Sequence, residues 1–173
     1  MNLSNEDARL YLTLLLPLLA FVNKRCGIIQ GLSSKELKEA TNRLCDNINL
    51  IDEYLALNSE LAKEERAIIA SWKKFKRGKF YVERHLEDGT IMISLKDEGI
   101  FKVVGVLTSL EKLLSNFSLP LVVEATLFPF KEVIITDGLL TPYKVKIEDK
   151  VAKSFTELYL MAKETETIID NIR

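Results

Sequence analysis

Trp72-Lys-Lys-Phe-Lys-Arg-Gly-Lys-Phe-Tyr-Val-Glu-Arg-His85 is where the chain changes its repeat. Before Gly78, apolar side chains return every three or four residues; after it, they return every second residue. The first spacing lines one face of a helix and the second lines one face of a strand. A switch of this kind, made once, predicts an α+β protein with helices first and a sheet after them.

Upstream, Ser4-Asn-Glu-Asp7 reads as a helix start, and the helix should run to about Arg25 and stop at Gly27, with Pro17 kinking it. Ser33-Ser-Lys-Glu36 is a second capping signature. Leu37, Ala40, Leu44, Ile48, Ile51 and Leu55 then form one amphipathic stripe, with a break expected near Asn47 or Asn49. A third helix is expected over about 62–76, burying Ile68, Ile69, Trp72 and Phe75.

Downstream, Lys79 onward alternates, and Asp88-Gly89 is a two-residue hairpin signal. Pairing Glu87 with Thr90 would place Phe80, Val82, Leu86, Ile91, Ile93 and Leu95 on one face. Further strands are expected at 100–107, 121–128, 132–136 and 143–147, with a short helix at 109–115 and Pro129 in a bend. A last helix should begin near Asp149. The expected architecture is about three N-terminal helices packed on a bent, mainly antiparallel sheet or small barrel of about six strands, then a C-terminal helix. Residues 1–173 read as a single domain: a mainly helical part (1–77), a mainly β part (78–148), and a C-terminal helix and tail (149–173).

Composition sets limits. At 47% apolar and 28% charged, the chain has the balance of a soluble globular protein, and its formal net charge is only −1. Cys26 and Cys45 form no CxxC pair; a disulfide is possible on count alone, but with no export signal read in the sequence reduced, buried thiols are expected. The 13-residue apolar run Leu10–Val22 follows Glu6 and Asp7 and precedes no small-x-small site, so it does not read as a signal peptide. It is also shorter than the roughly 20 residues a spanning helix needs. A cytoplasmic location and no membrane association follow as expectations.

Charge is less even than the total suggests. Six of the 24 basic residues lie between Lys73 and Arg84, against the single acid Glu83. Lys73, Lys74, Lys76, Arg77 and Lys79 could contact an acidic protein or the phosphates of a nucleic acid, with Phe75 or Tyr81 available to stack. The competing reading is a solvated helix end, because a helix dipole favours cations in its last turn by about 0.3–1 kcal/mol each.

Other residues raise narrower questions. Arg84 would lie on an apolar face opposite Ile93, so it either reaches solvent at an edge, binds an anion, or pairs with a carboxylate. Glu124, alone among the apolar residues of 121–127 in carrying a charge, is the expected partner. His85 is the only histidine, and it reads as a half-exposed strand residue or a lone general base. Asp137-Gly138 is first a turn dipeptide, and second a carboxylate held at a turn. The sequence contains no GxxxxGK[ST], GxGxxG or GxSxG pattern and no metal-ligand spacing, so no cofactor and no metal are expected.

Several motifs resemble those of a family of uncharacterised bacterial and archaeal proteins. They are Ser71-Trp72, Phe75, Gly78-Lys79-Phe80, Arg84-His85-Leu86, Gly105-Val106-Leu107, Leu127-Phe128-Pro129-Phe130-Lys131, Ile135, Asp137-Gly138-Leu139-Leu140 and Tyr143. Phe21-Val22-Asn23-Lys24 and Ile51-Asp52-Glu53-Tyr54 fit its helical part. Some members resemble proteins with a Cys-rich SEC-C-type metal-binding tail, which this chain lacks, so the resemblance implies no metal role. It implies a single domain and no particular activity.

The favoured expectation is therefore a non-catalytic interaction or regulatory module presenting residues 73–79 to an acidic ligand. The alternative is an enzyme of unfamiliar type with His85, Asp137 or Arg84 in a pocket. Homo-oligomerisation through the leucine-rich first helix is a third reading.

Overall fold

The computed structural model describes residues 1–27 and 33–173, and its element order is the expected α+β one. Helix α1 spans Asn5–Cys26. Ser4 caps it by accepting the Asp7 N–H at 3.1 Å, and Gly27 closes it in the left-handed conformation at φ 66°. Pro17 lies inside it. Helix α2 spans Ser34–Asp46 behind a reciprocal Ser33–Glu36 capping box. Helix α3 spans Asn49–Leu57, so the long stripe is split at Asn47-Ile48, within the expected interval. Helix α4 spans Lys63–Ser71.

The junction corrects one expectation. Helix α4 stops at Ser71, a single 3₁₀ turn covers Trp72–Lys74, and strand β1 already begins at Lys76 and runs to Leu86. The segment Lys76-Arg-Gly-Lys79 lacks β-branched residues, yet it is held extended by pairing to a strand distant in sequence.

That partner is β4, Leu121–Phe130, which pairs antiparallel with β1 from Lys76↔Leu127 to Val82↔Leu121. The other strands are β2 (Gly89–Ser94), β3 (Ile100–Val104), β5 (Val133–Thr136) and β6 (Thr141–Tyr143). Their order is β1-β2-β3-β5-β4-β6, and the extra β1–β4 pairing closes the first five into a ring. Only β3–β5 is parallel. A short helix α5 (Leu110–Leu113) and a final helix α6 (Asp149–Glu164) complete the fold. Pro129 is not confined to a bend: it pairs with Ile134 inside β4, and the turn follows at Lys131-Glu132. The last strand also falls earlier than 143–147.

The β1–β2 hairpin departs from the expected register. Its turn is Glu87-Asp88, with Leu86 opposite Gly89 and His85 opposite Thr90. A bulge between Val82 and Arg84 then shifts the register, so Arg84 faces Ile91 while Val82 faces Met92. One extra residue in a strand reverses which face the following side chains occupy. Phe80 and Val82 therefore join Met92, Phe101, Val123 and Leu127 inside the ring. Tyr81, Leu86, Ile91 and Ile93 pack on the outside, under Phe155, Tyr159 and Ala162 of α6. A third apolar cluster joins α1–α4 to Trp72, Phe128, Phe130 and Ile135.

Both ends of the chain are tied to β3 and its extension. The Leu3 N–H donates to the Gly105 carbonyl at 2.9 Å, and Ile169 exchanges hydrogen bonds with Ile100 and Lys102 at 2.8 and 2.9 Å.

Candidate basic cleft and the residues around it

The basic segment straddles a helix end and a strand, and its cations have separate surroundings. Lys73, on the 3₁₀ turn, pairs with Asp52 of α3 at 2.9 Å. Arg77, on β1, pairs with Asp46 of α2 at 2.7 Å and donates to the Asn42 carbonyl at 3.3 Å. The Lys79 ammonium lies 4.8 Å from the centre of the Tyr143 ring. Tyr143 in turn donates to Glu124 at 2.8 Å. Lys74 and Lys76 are exposed and, among the described residues, pair with no carboxylate.

Beside the start of β1 lies an open cleft of about 320 Å³ whose walls include Lys76, Lys79, Lys96 and Asp97, over Phe80 and Phe101. The antiparallel hairpin creates it. Phe80 faces Ser94, and the Leu95 N–H donates to the Lys79 carbonyl at 3.0 Å, which brings the β2–β3 turn alongside the basic segment. Lys96 thus joins the cationic wall although the sequence reading did not select it. Its only signal was the turn Lys96-Asp-Glu-Gly99 in a hairpin antiparallel to β1. The lone carboxylate here is already engaged: the Ser94 hydroxyl and the Gly99 N–H, with Lys76 and Lys96 nearby, hold Asp97 below the usual carboxylate range.

The interleaved aromatics are largely core, not stacking platforms. Trp72 is buried edge-on against Tyr11 and Phe128, and Phe75 leans on the same Phe128. Tyr81 is stacked on Phe155 of α6 at 4.2 Å and buried. The stacking role foreseen for Tyr81 is therefore excluded, whereas Phe75 is half-buried against Phe128 and also lines the cleft.

The expected Arg84–Glu124 ion pair does not form. Arg84 pairs with its neighbour Glu83, its Nη2 donating at 2.9 Å to Oε1. Its guanidinium carbon sits 4.3 Å from the centre of the Tyr159 ring. Glu124 instead faces Lys79 and Thr141 in the ladder and accepts from Tyr143. The bulge explains the miss, because it turns Arg84 toward α6 and supplies Glu83 as a partner from within the strand.

His85, Asp137 and Arg84 are not brought together. Arg84 lies under α6. His85 contacts the Thr90 hydroxyl through Nδ1 at 2.9 Å, and burial lowers its pKa, with Glu111 acting in the opposite direction. Asp137 lies at the end of β5, its Oδ1 accepting the Leu139 N–H at 3.0 Å as an Asx turn does. Burial raises its pKa, and Lys38 partly offsets this. Of the three, Asp137 alone lines any of the described pockets, so the side chains do not converge on one site.

The remaining expectations divide. Cys45 is buried and its thiol is pushed up to about 12, but Cys26 is exposed, contrary to the expected burial of both. Most leucines of α1 face the core, so the helix does not offer its whole apolar face as an interface. Among the described residues no helix is long and apolar enough to cross a membrane. No group of three or more His, Cys, Asp or Glu side chains among them is placed to hold a metal ion. No family model matches the chain, nor does any curated protein or solved structure.

Proposed function

We propose that this protein is a non-catalytic binding module whose cleft beside the start of β1 takes an acidic chain, a single-stranded nucleic acid or an acidic peptide. The observation that carries this reading is the cleft's wall, where Lys76, Lys79 and Lys96 meet around a space of about 320 Å³ with one already satisfied carboxylate. A concave site lined by one sign of charge concentrates the opposite sign, and three lysine–phosphate contacts are enough for salt-dependent binding. Trp72 and Tyr81 are buried and half-buried Phe75 is the aromatic on the cleft wall before β1, so recognition rests chiefly on charge and shape. The same proposal places the protein in the cytoplasm, where unpaired thiols such as Cys26 and Cys45 stay reduced.

The test is fluorescence polarisation of labelled single-stranded DNA, single-stranded RNA and polyglutamate over a salt series. Three contacts to a single strand give a log–log slope of about −2. Lys76→Glu/Lys79→Gln/Lys96→Glu should abolish binding and leave the circular dichroism spectrum unchanged, Lys79 being made neutral because it faces Glu124. Lys73 and Arg77 are left intact because their reversal would face Asp52 and Asp46. Equal binding by the triple variant, or none by the wild type at low salt, overturns the reading.

A further inference from the structure

On the side of the molecule formed by α1, α2 and the loop leading to α5 lies a second concavity, of about 250 Å³, separate from the basic cleft. Its walls are almost wholly aliphatic: Leu12, Leu15, Leu19, Leu37, Val106 and Leu139 among others, with exposed Leu16 and Leu107 at the rim. Three polar side chains, Thr41, Thr108 and Asp137, break that surface. The Asp137 carboxyl is fixed by its turn. Tyr11 also lines the cavity, but its hydroxyl is buried behind the wall and, among the described residues, has no hydrogen-bond partner.

An unpaired buried hydroxyl is costly, because the water it gave up has not been replaced. Tyr11 also lies near enough to Asp137 for the carboxylate charge to add to burial in pushing the phenol up. An apolar pocket with a few convergent polar groups is the usual form of a small-molecule site. The sign of its one charged wall residue selects the ligand. A carboxylate-bearing ligand would meet Asp137 as a like charge, whereas an ammonium group would donate to it.

We propose that this cavity is a binding site for a small apolar amine, its hydrocarbon body among the leucines and its ammonium on Asp137. A 150 Å³ apolar cavity accommodates benzene, so this one suits a body and head of about ten non-hydrogen atoms. Lys38 stands behind Asp137, in the adjoining polar notch, with its ammonium bonded to the Thr141 hydroxyl. It therefore tunes the carboxylate without occupying the cavity.

The experiment uses the full chain and three matched probes: 2-phenylethylamine, 3-phenylpropionate and the neutral 2-phenylethanol. Binding is read from amide shifts of Gly138 and Leu139 in ¹H–¹⁵N spectra, to a probe concentration of about 10 mM, the weakest affinity expected of a ligand this size. The amine should bind at least tenfold more tightly than the other two. Asp137→Asn keeps an acceptor for the Leu139 N–H, and should remove that preference while leaving 2-phenylethanol binding as before. Because burial penalises the Asp137 carboxylate, the same variant should melt no lower than the wild type, which separates lost binding from lost folding. Leu16→Trp at the rim should block all three probes. Equal binding of amine and carboxylate, an amine preference that survives Asp137→Asn, or no shift with any probe overturns the proposal.

Discussion

The Arg84 guanidinium lies over the Tyr159 ring with its carbon 4.3 Å from the centroid, and Glu83 holds it there through the adjacent backbone position. Glu83 also accepts the Thr156 hydroxyl of α6 at 3.1 Å, and its side chain is only 6% exposed. Two consecutive residues at a bulge therefore fasten the C-terminal helix to the outside of the ring by a cation–π contact and a hydrogen bond.

The Arg84–Tyr159 contact should be measurable as a coupling. A double-mutant cycle with Arg84→Met and Tyr159→Leu should give an interaction of about 0.5–2 kcal/mol, the range for such contacts from exposed to desolvated. Hydrogen exchange should speed up in α6 more than in α1. Strict additivity in the cycle would show that α6 is held by apolar packing alone.

Trp72 has an unusual balance. It is 1% exposed and packs against Tyr11 and Phe128, yet among the described residues its indole N–H has no partner. Trp72→Ala should cost about 3–5 kcal/mol, as large core truncations do. Trp72→Phe removes the unsatisfied donor along with part of the ring, so its loss should be at most half as large. Urea unfolding of the two variants gives both values, and equal losses would mean that the indole N–H is satisfied in solution.

His85 makes stability depend on pH in a defined direction. Its folded-state pKa is lowered, chiefly by burial, against the pull of Glu111 and with a smaller push from the N-terminal amine. The unfolded chain therefore binds the proton first. The contribution is fully present above the ordinary imidazole value of about 6.5 and is lost as pH falls through the folded pKa. Unfolding midpoints between about pH 5 and 8 should drop on the acid side in the wild type. His85→Gln should flatten that part of the profile. An unchanged profile would assign the drop to carboxylates instead.

Local chemistry made the helical half legible. Ser4, Ser33 and Gly27 cap helices within a few residues of themselves, and those signals survive folding unchanged. The hairpin announced itself through Asp88-Gly89, but its register did not. A bulge at Glu83 leaves composition untouched while exchanging the faces of everything beyond it. The early start of β1 was hidden for another reason: Gly78 is extended because it lies opposite Ala125, a pairing no local pattern reveals. The candidate sites divide in the same way. Lys76 and Lys79 were visible as a charge cluster, whereas Lys96 joins them only through the ladder. The Asp137–Tyr11 cavity unites a turn and a helix that meet only in the folded chain.

The bulge also sets how this protein can change over evolutionary time. Substitutions along β1 are judged one side chain at a time, but ironing out the bulge with Glu83 kept in the ladder would act on the pleat as a frameshift acts on a reading frame. Arg84 and Leu86 would turn inward among Val82 and Met92, and His85 would turn out beneath α6. A charge would enter one core as an apolar residue left the other. The extra residue and the bulge are therefore linked: lineages of this fold should keep both, or lose both by shortening the Phe80–Gly89 spacing by one, and should not keep the residue in a regular ladder.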